Sequence, residues 1–432
     1  MTLSAPTASA PRRASRLPGP FAALRHRDYR LLWSGMISSS TTLWMEQVAY
    51  GWLVLQLTNS PFLLGFVGFC RALPTLLFSL FAGVLADRLD RRRVLLAGQS
   101  VTWATITTLA LLTTTGLVQV WHVFVAAFLA GSAQAFNLPT RQAIINDAVG
   151  KEDLPQAIAL NSLSFNVAKV IGPSIAGVVV ATLGTTAVFW TESVLLLFTL
   201  LTTFLLRLPP RPPLPAERSP LRDLAEGFAY VRRDRYILGL MLAAGVPVLL
   251  AWPYQTLLPV VARDALGSGA EGLGVLMSAS GIGAIATILG AAALRQRGRR
   301  QTVQFLAMAA FGVLLVLFAS SSQLWLSTLI IAGITGSSIL YNILNQTALQ
   351  TYVDDRVRGR VLGIYLLVMG LNPIGALVFG GVADHFGIRL TLFFMGVLTV
   401  SAAGLIYWLN PALRQQEGER LPRPARQVRP GG

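Results

Sequence analysis

With 432 residues, 53% of them hydrophobic and 12% charged, and a mean hydropathy of +0.59, the chain is too apolar for an ordinary soluble domain and reads as a polytopic membrane protein. Its formal net charge of +16 falls between apolar stretches, where basic residues set membrane orientation, so nucleic acid is excluded as a partner. A single cysteine, Cys70, and three scattered histidines, His26, His122 and His385, exclude an internal disulfide, a metal site and a redox pair; no cofactor is expected.

Residues 1–30 open with a Pro-, Ala-, Ser- and Arg-rich stretch that has no apolar core, which reads as a cytoplasmic tail and not as a cleavable signal. Apolar segments long enough to span follow at 31–57, 61–86, 94–115, 120–141, 156–181 and 184–206, about 20 residues or more each. A proline-rich linker with an amphipathic end occupies 207–236. Six further spans are predicted at 237–262, 272–294, 301–320, 323–350, 361–384 and 388–410, before a tail at 411–432. Of the 35 Lys and Arg residues, 31 fall in the tails and in the loops after even-numbered spans, against Arg263 and Arg389 in the opposite loops. This asymmetry predicts a multi-pass protein of the cell inner membrane with both termini cytoplasmic.

The turn after span 2, Gly83-Val-Leu-Ala-Asp-Arg-Leu-Asp-Arg-Arg-Arg93, ends an apolar run abruptly. Gly83 permits close backbone approach, Asp87 can accept hydrogen bonds at a neighbouring helix N-terminus, and Arg88, Arg91, Arg92 and Arg93 stay out of hydrocarbon. In span 5, Gly172, Pro173 and Gly177 thin the helix and remove one hydrogen bond. The halves also repeat: Phe21, Ala22, Arg25, Tyr29 and Leu31 recur as Phe228, Ala229, Arg232, Tyr236 and Leu238, and Ile171, Gly172 and Gly177 recur as Ile374, Gly375 and Gly380.

The Gly83–Arg93 turn resembles the loop signature of the major facilitator superfamily, with Asp90 in place of its second glycine. That aspartate, the Gly172-Pro173-x-x-x-Gly177 element and the stretches 131–143 and 152–166 resemble the drug-efflux branch that includes enterobactin and macrolide exporters. The resemblance implies an all-α fold of twelve transmembrane helices in two pseudo-symmetric six-helix bundles. It further implies a cavity that opens alternately to each side, and export of a small organic molecule, drug or siderophore, driven by proton entry. Gly83, Asp87, Arg88, Arg91 and Arg92 then form the gate motif. Departure from the branch at Ile145-Asn146, where a proline-containing pair is usual, leaves the geometry of that loop open.

Four ionisable residues lie inside spans: Glu46, Arg71, Lys169 and Glu192. Each costs about 2.5–3.5 kcal/mol near a helix centre and needs a partner or water. Glu46 and Lys169 lie at similar depth, so Glu46, Lys169 and Glu192 are the proton-coupling candidates, with a permanent structural ion pair as the competing reading; Arg71 and Glu192 read more readily as structural. Spans 1, 4, 7 and 10, which the resemblance places around the cavity, offer Gln47, Tyr50, Gln134, Asn137, Trp252, Tyr254, Tyr341, Asn342 and Asn345, a mixture suited to amphiphiles better than to sugars. No phosphate-binding lysine loop and no acid, histidine or nucleophile cluster points to an enzyme. The expected partners are the lipid bilayer, protons and a small organic substrate, with the monomer sufficient to form a pathway; an uptake permease or a non-transporting sensor of the same fold are the alternatives.

Overall fold

The computed structural model describes residues 19–88, 90–207, 220–293, 300–354, 357–411 and 413. The described residues form helices and turns without a strand. In chain order these are α1 (Arg27–Thr58), α2 (Pro61–Arg88), α3 (Arg91–Thr114), α4 (Val120–Gly150), α5 (Glu152–Leu183) and α6 (Thr185–Phe204). A short amphipathic helix, α7 (Pro220–Arg233), precedes α8 (Arg235–Ala265), α9 (Gly269–Ala293), α10 (Arg300–Ser320), α11 (Leu324–Tyr352), α12 (Arg358–Phe386) and α13 (Ile388–Leu409). Ten of these helices are long and apolar enough to cross a membrane. Including α1 and α2, twelve long helical segments alternate in direction, so that one face of the molecule carries the start of α1 (proximal) and the other its end (distal).

Local chemistry sets the ends. Asp90 caps α3, its side chain accepting from Arg93 N at 3.0 Å, and Asp234 caps α8 by accepting from the backbone N–H groups of Tyr236 and Ile237. Asp90 thus supplies an orphan-donor partner where the superfamily pattern has glycine. Gly150 (φ 71°, ψ 177°) separates α4 from α5, a break that L-residues with a side chain rarely adopt. The helix predicted to stop at residue 141 in fact runs on to Gly150, because no breaker intervenes and Asp147 is held by Arg91 at 2.7 Å. Within α8 the helix is interrupted by a turn over residues 251–253 and closes with a π-turn at Val261–Ala265.

The internal repeat is visible in backbone geometry. Gly184 (φ 84°, ψ 169°) joins α5 to α6 and Gly387 (φ 80°, ψ 159°) joins α12 to α13, at the same offset as the Gly172/Gly375 and Gly177/Gly380 pairs. Gly172 packs α5 on α1, where a Cβ would lie 2.9 Å from Trp44 Cβ; Gly375 packs α12 on α8, against the Leu249 carbonyl and Pro253. Gly177 packs α5 on α9, where a Cβ would lie 2.8 Å from Gly274 Cα; Gly380 packs α12 on α2, where it would lie 2.6 Å from the Pro61 carbonyl. The second pair therefore forms the two seams between the halves, and only glycine allows the backbones this close.

Both seams are tight toward the distal face. Asp384 at the end of α12 accepts from Ser60 Oγ (2.7 Å) and Phe62 N (3.2 Å) at the start of α2, capping a helix across the seam. Ser278 Oγ donates to the Val170 carbonyl at 2.9 Å. On the proximal side of that contact, α5 and α9 border an apolar crevice of about 430 Å³ between Val167, Ile171, Ile282 and Leu289. At the α5–α9 seam the described halves thus meet distally and part proximally.

Candidate functional site

Two chambers lie where the first half meets its own interior and the second half. The first, of about 270 Å³, is polar and is enclosed by α1, α2, α3, α4, α5 and α6; Glu46, Arg71, Gln99, Gln134, Asn137 and Arg141 contribute to its wall. The second, of about 320 Å³, lies between the halves, with Trp44, Gln47, Tyr50, Val67, Phe165, Gln255 and Met277 in its wall. Leu43, Arg71 and Phe165 line both, so they form the partition.

The charged centre of this region is a salt bridge between Glu46 of α1 and Arg71 of α2, at 2.8 Å, with the glutamate 3% exposed. Gly131 of α4 permits it by letting α2 approach at the Arg71 carbonyl, a place no side chain could occupy. Tyr50 lies one turn beyond Glu46 on the same face of α1 and packs beside Phe189 of α6. Glu192, also on α6, is wholly buried and neither of its carboxylate oxygens has a hydrogen-bond partner. It interacts electrostatically with Glu46 and Arg71, so two acids share one guanidinium.

The predicted proximity of Glu46 and Lys169 does not produce a pair. Lys169 lies over the Trp44 ring, 5.3 Å from its centroid, in a small recess shared with Gln255, Met277 and Ser280. Trp44 and Glu46 are two residues apart on a helix, and therefore point about 200° apart. The α5 lysine meets the face of α1 that looks toward the second half, while Glu46 looks into the first. Trp44 is braced in turn by Phe165, edge to face at 5.6 Å.

The remaining predicted residues divide by half. Gln47 and Tyr50 line the chamber between the halves, and Gln134 and Asn137 the polar one. Tyr254, Tyr341 and Asn345 are wholly buried within the second half: Tyr254 Oη lies 3.2 Å from Thr335 Oγ1, Tyr341 stacks on Phe311, and Asn345 accepts from Gln304 Nε2 at 2.8 Å. Asn342 donates to Tyr365 Oη at 3.0 Å, and Trp252 is partly buried against the core. Gly83, Asp87 and Arg88 fall in the last turns of α2, with side chains outside the described residues. Arg91 pairs with Asp147, and Arg92 donates to the Phe204 carbonyl while lying 5.3 Å from its ring centroid. These arginines therefore tie the α2–α3 turn to α4 and α6.

Arg141 was not among the predicted site residues. Its signal was present in the spacing, because Gln134, Asn137 and Arg141 follow one another at helical intervals and share one face of α4. Counted as a loop arginine, it lost that face.

The family described as transmembrane secretion effector, a branch of the major facilitator superfamily, matches residues 18–427. The chain is 29% identical over 379 residues to the staphyloferrin A transporter of Staphylococcus aureus, covering 86% of this chain and 93% of that protein. It is 27% identical to the multidrug efflux pump Tap of Mycolicibacterium fortuitum (85% and 92% covered) and 26% identical to the enterobactin exporter EntS of Shigella boydii (82% and 85%). Among solved structures, the nucleoside transporter NupG superposes with a TM-score of 0.68 at 17% identity, over 92% of this chain and 99% of that one. An inward-facing, unoccupied bacterial homologue of the lysosomal transporter Spinster superposes with a TM-score of 0.65 at 16% identity, over 93% and 98%. At these identities the structural matches speak for the fold.

Proposed function

The chain belongs to the transmembrane secretion effector family of membrane transporters, and on that premise we propose that it exports an amphiphilic organic molecule from the cytoplasm by proton antiport and alternating access. The observation that carries the coupling is the arrangement of Glu46, in the wall of the polar chamber, with Arg71 of the partition and the wholly buried Glu192 behind them. With both acids ionised the trio carries a net negative charge, and one bound proton neutralises it, so a single protonation changes the charge of a buried site. Opening of the chamber to one face and then the other lets that proton exchange with each side in turn.

The excess of Lys and Arg in the tails and in the loops after even-numbered spans supports a cytoplasmic location for the proximal face and for both termini, which makes the distally sealed arrangement an inward-open state. The moving bodies are residues 31–206 and 237–410, joined by the linker 207–236, with tails at 1–30 and 411–432. The α7 part of the linker is docked on the second half through the Glu226–Arg360 pair at 2.8 Å and Gly227 beside Ile364. One chain encloses both chambers, which supports a functional monomer. No cofactor and no catalytic step is assigned.

Reconstitution in proteoliposomes tests the reading. A pH gradient, alkaline on the proximal side, is expected to hold a fluorescent amphiphile below its equilibrium distribution on that side. Accumulation in the opposite direction would mean uptake, and absence of both exchange and gradient-driven movement would remove the transporter reading.

A further inference from the structure

From the charges around the polar chamber we infer that the exported molecule is an amphiphilic anion, bound through a carboxylate-like group at Arg141; the inference rests on the export reading above for its biological meaning but not for its test. Three charged groups line the chamber: Glu46, Arg71 and Arg141. The first two neutralise each other at 2.8 Å. Arg141 has no acidic partner among the described residues, and its Nε is buried without an acceptor. A guanidinium inside a chamber with low-dielectric walls is costly to leave uncompensated, and its planar fork matches a carboxylate with two parallel N–H donations.

The neighbouring side chains continue the complementarity. Asn137 and Gln134 stand on the same face of α4 one and two turns before Arg141 and offer amide groups to oxygens on the ligand head. Past the Arg71–Phe165 partition, the second chamber presents Trp44, Leu64, Val67 and Met277, which suit an apolar or aromatic body. Lys169 above Trp44 has no carboxylate partner among the described residues either, so the surplus charge along the route is positive at both ends. Glu192 is wholly buried and lines neither chamber, so a cationic amphiphile would meet in the wall only an acid already engaged by Arg71, together with a second arginine without a counter-ion.

The test uses the full-length protein in lipid nanodiscs and three probes that share one ring system: 1-naphthylacetate, its neutral amide 1-naphthylacetamide, and 1-naphthylmethylamine. Titration calorimetry at low salt is expected to give roughly tenfold tighter binding of the carboxylate than of the amide, with the ammonium weakest. Arg141→Gln removes the carboxylate preference, the carboxylate losing more affinity than the amide, and Arg141→Lys, which keeps the charge but not the fork, retains part of it. Amide or ammonium binding as tight as the carboxylate, absence of carboxylate binding, or a preference that survives in both variants overturns the anion site. Proteoliposome transport separates this outcome from the export reading. Carboxylate preference without transport of any probe leaves the site and removes export; transport of the amide without carboxylate preference does the reverse.

Discussion

Substituting Gly177 by alanine tests whether the α5–α9 seam is a gate. The added Cβ would lie 2.8 Å from Gly274 Cα and 2.9 Å from the Ala270 carbonyl, so the helices must part by about 0.6 Å to regain ordinary contact. Overpacking of this kind costs about 1–3 kcal/mol, and here it falls only on the conformation in which the distal seam is closed. Alanine also gains up to about 1 kcal/mol of helix propensity over glycine, but it does so in both conformations and cancels from their ratio. The distally open state should therefore gain roughly 5- to 150-fold in relative population. Spin labels on cysteines replacing Leu183 and Phe386, which are 72% and 64% exposed at the distal ends of α5 and α12, read the separation of the halves in a Cys70→Ser background. Gly177→Ala should enlarge the long-distance component, whereas Gly172→Ala, whose Cβ meets Trp44 and Thr41 inside the first half, should lower stability without moving the distribution. Identical distance distributions in Gly177→Ala and the parent would refute the gate.

Glu46→Gln leaves Glu192 and Arg71 balanced without a proton, so it should abolish accumulation driven by a pH gradient while sparing substrate exchange; gradient-driven accumulation at parental levels would strike Glu46 from the carriers and leave Glu192 to test. Lys169→Ala, in a chain where Arg71 and not Lys169 holds Glu46, should leave the pH optimum of transport in place, and a displaced optimum would revive the Glu46–Lys169 pairing. Asp384→Ala removes the acceptor of Ser60 Oγ and Phe62 N, worth about 1 kcal/mol on the closed distal seam, and the same spin-label pair should show a smaller shift than Gly177→Ala gives. Asp90→Ala should cost about 1 kcal/mol of stability by uncapping α3, and Asp90→Gly only a few tenths, measured by chemical denaturation in detergent; equal losses would argue against the cap.

Much of the architecture was legible in the chain because membrane insertion filters local properties. Each span must be long and apolar by itself, each loop arginine must remain in water, and the glycines at 172, 177, 375 and 380 repeat because two related halves need the same close approaches. Depth along a span was legible as well, and Glu46, Gln47, Tyr50, Gln134 and Asn137 do line the two chambers. Azimuth was not. Whether Glu46 meets Lys169 or Arg71 depends on which face of α1 looks toward α2, and that is decided by Gly131 admitting α2 to α4 and Gly172 admitting α1 to α5. The same limit hid the core role of Tyr254, Tyr341 and Asn345, polar residues whose partners Thr335, Phe311 and Gln304 come from other turns and helices of the second half. Arg141 was missed because its helix ran past the apolar stretch: hydropathy marks where lipid begins, while the aqueous chamber that allows an arginine inside a bundle exists only once six helices have closed around it.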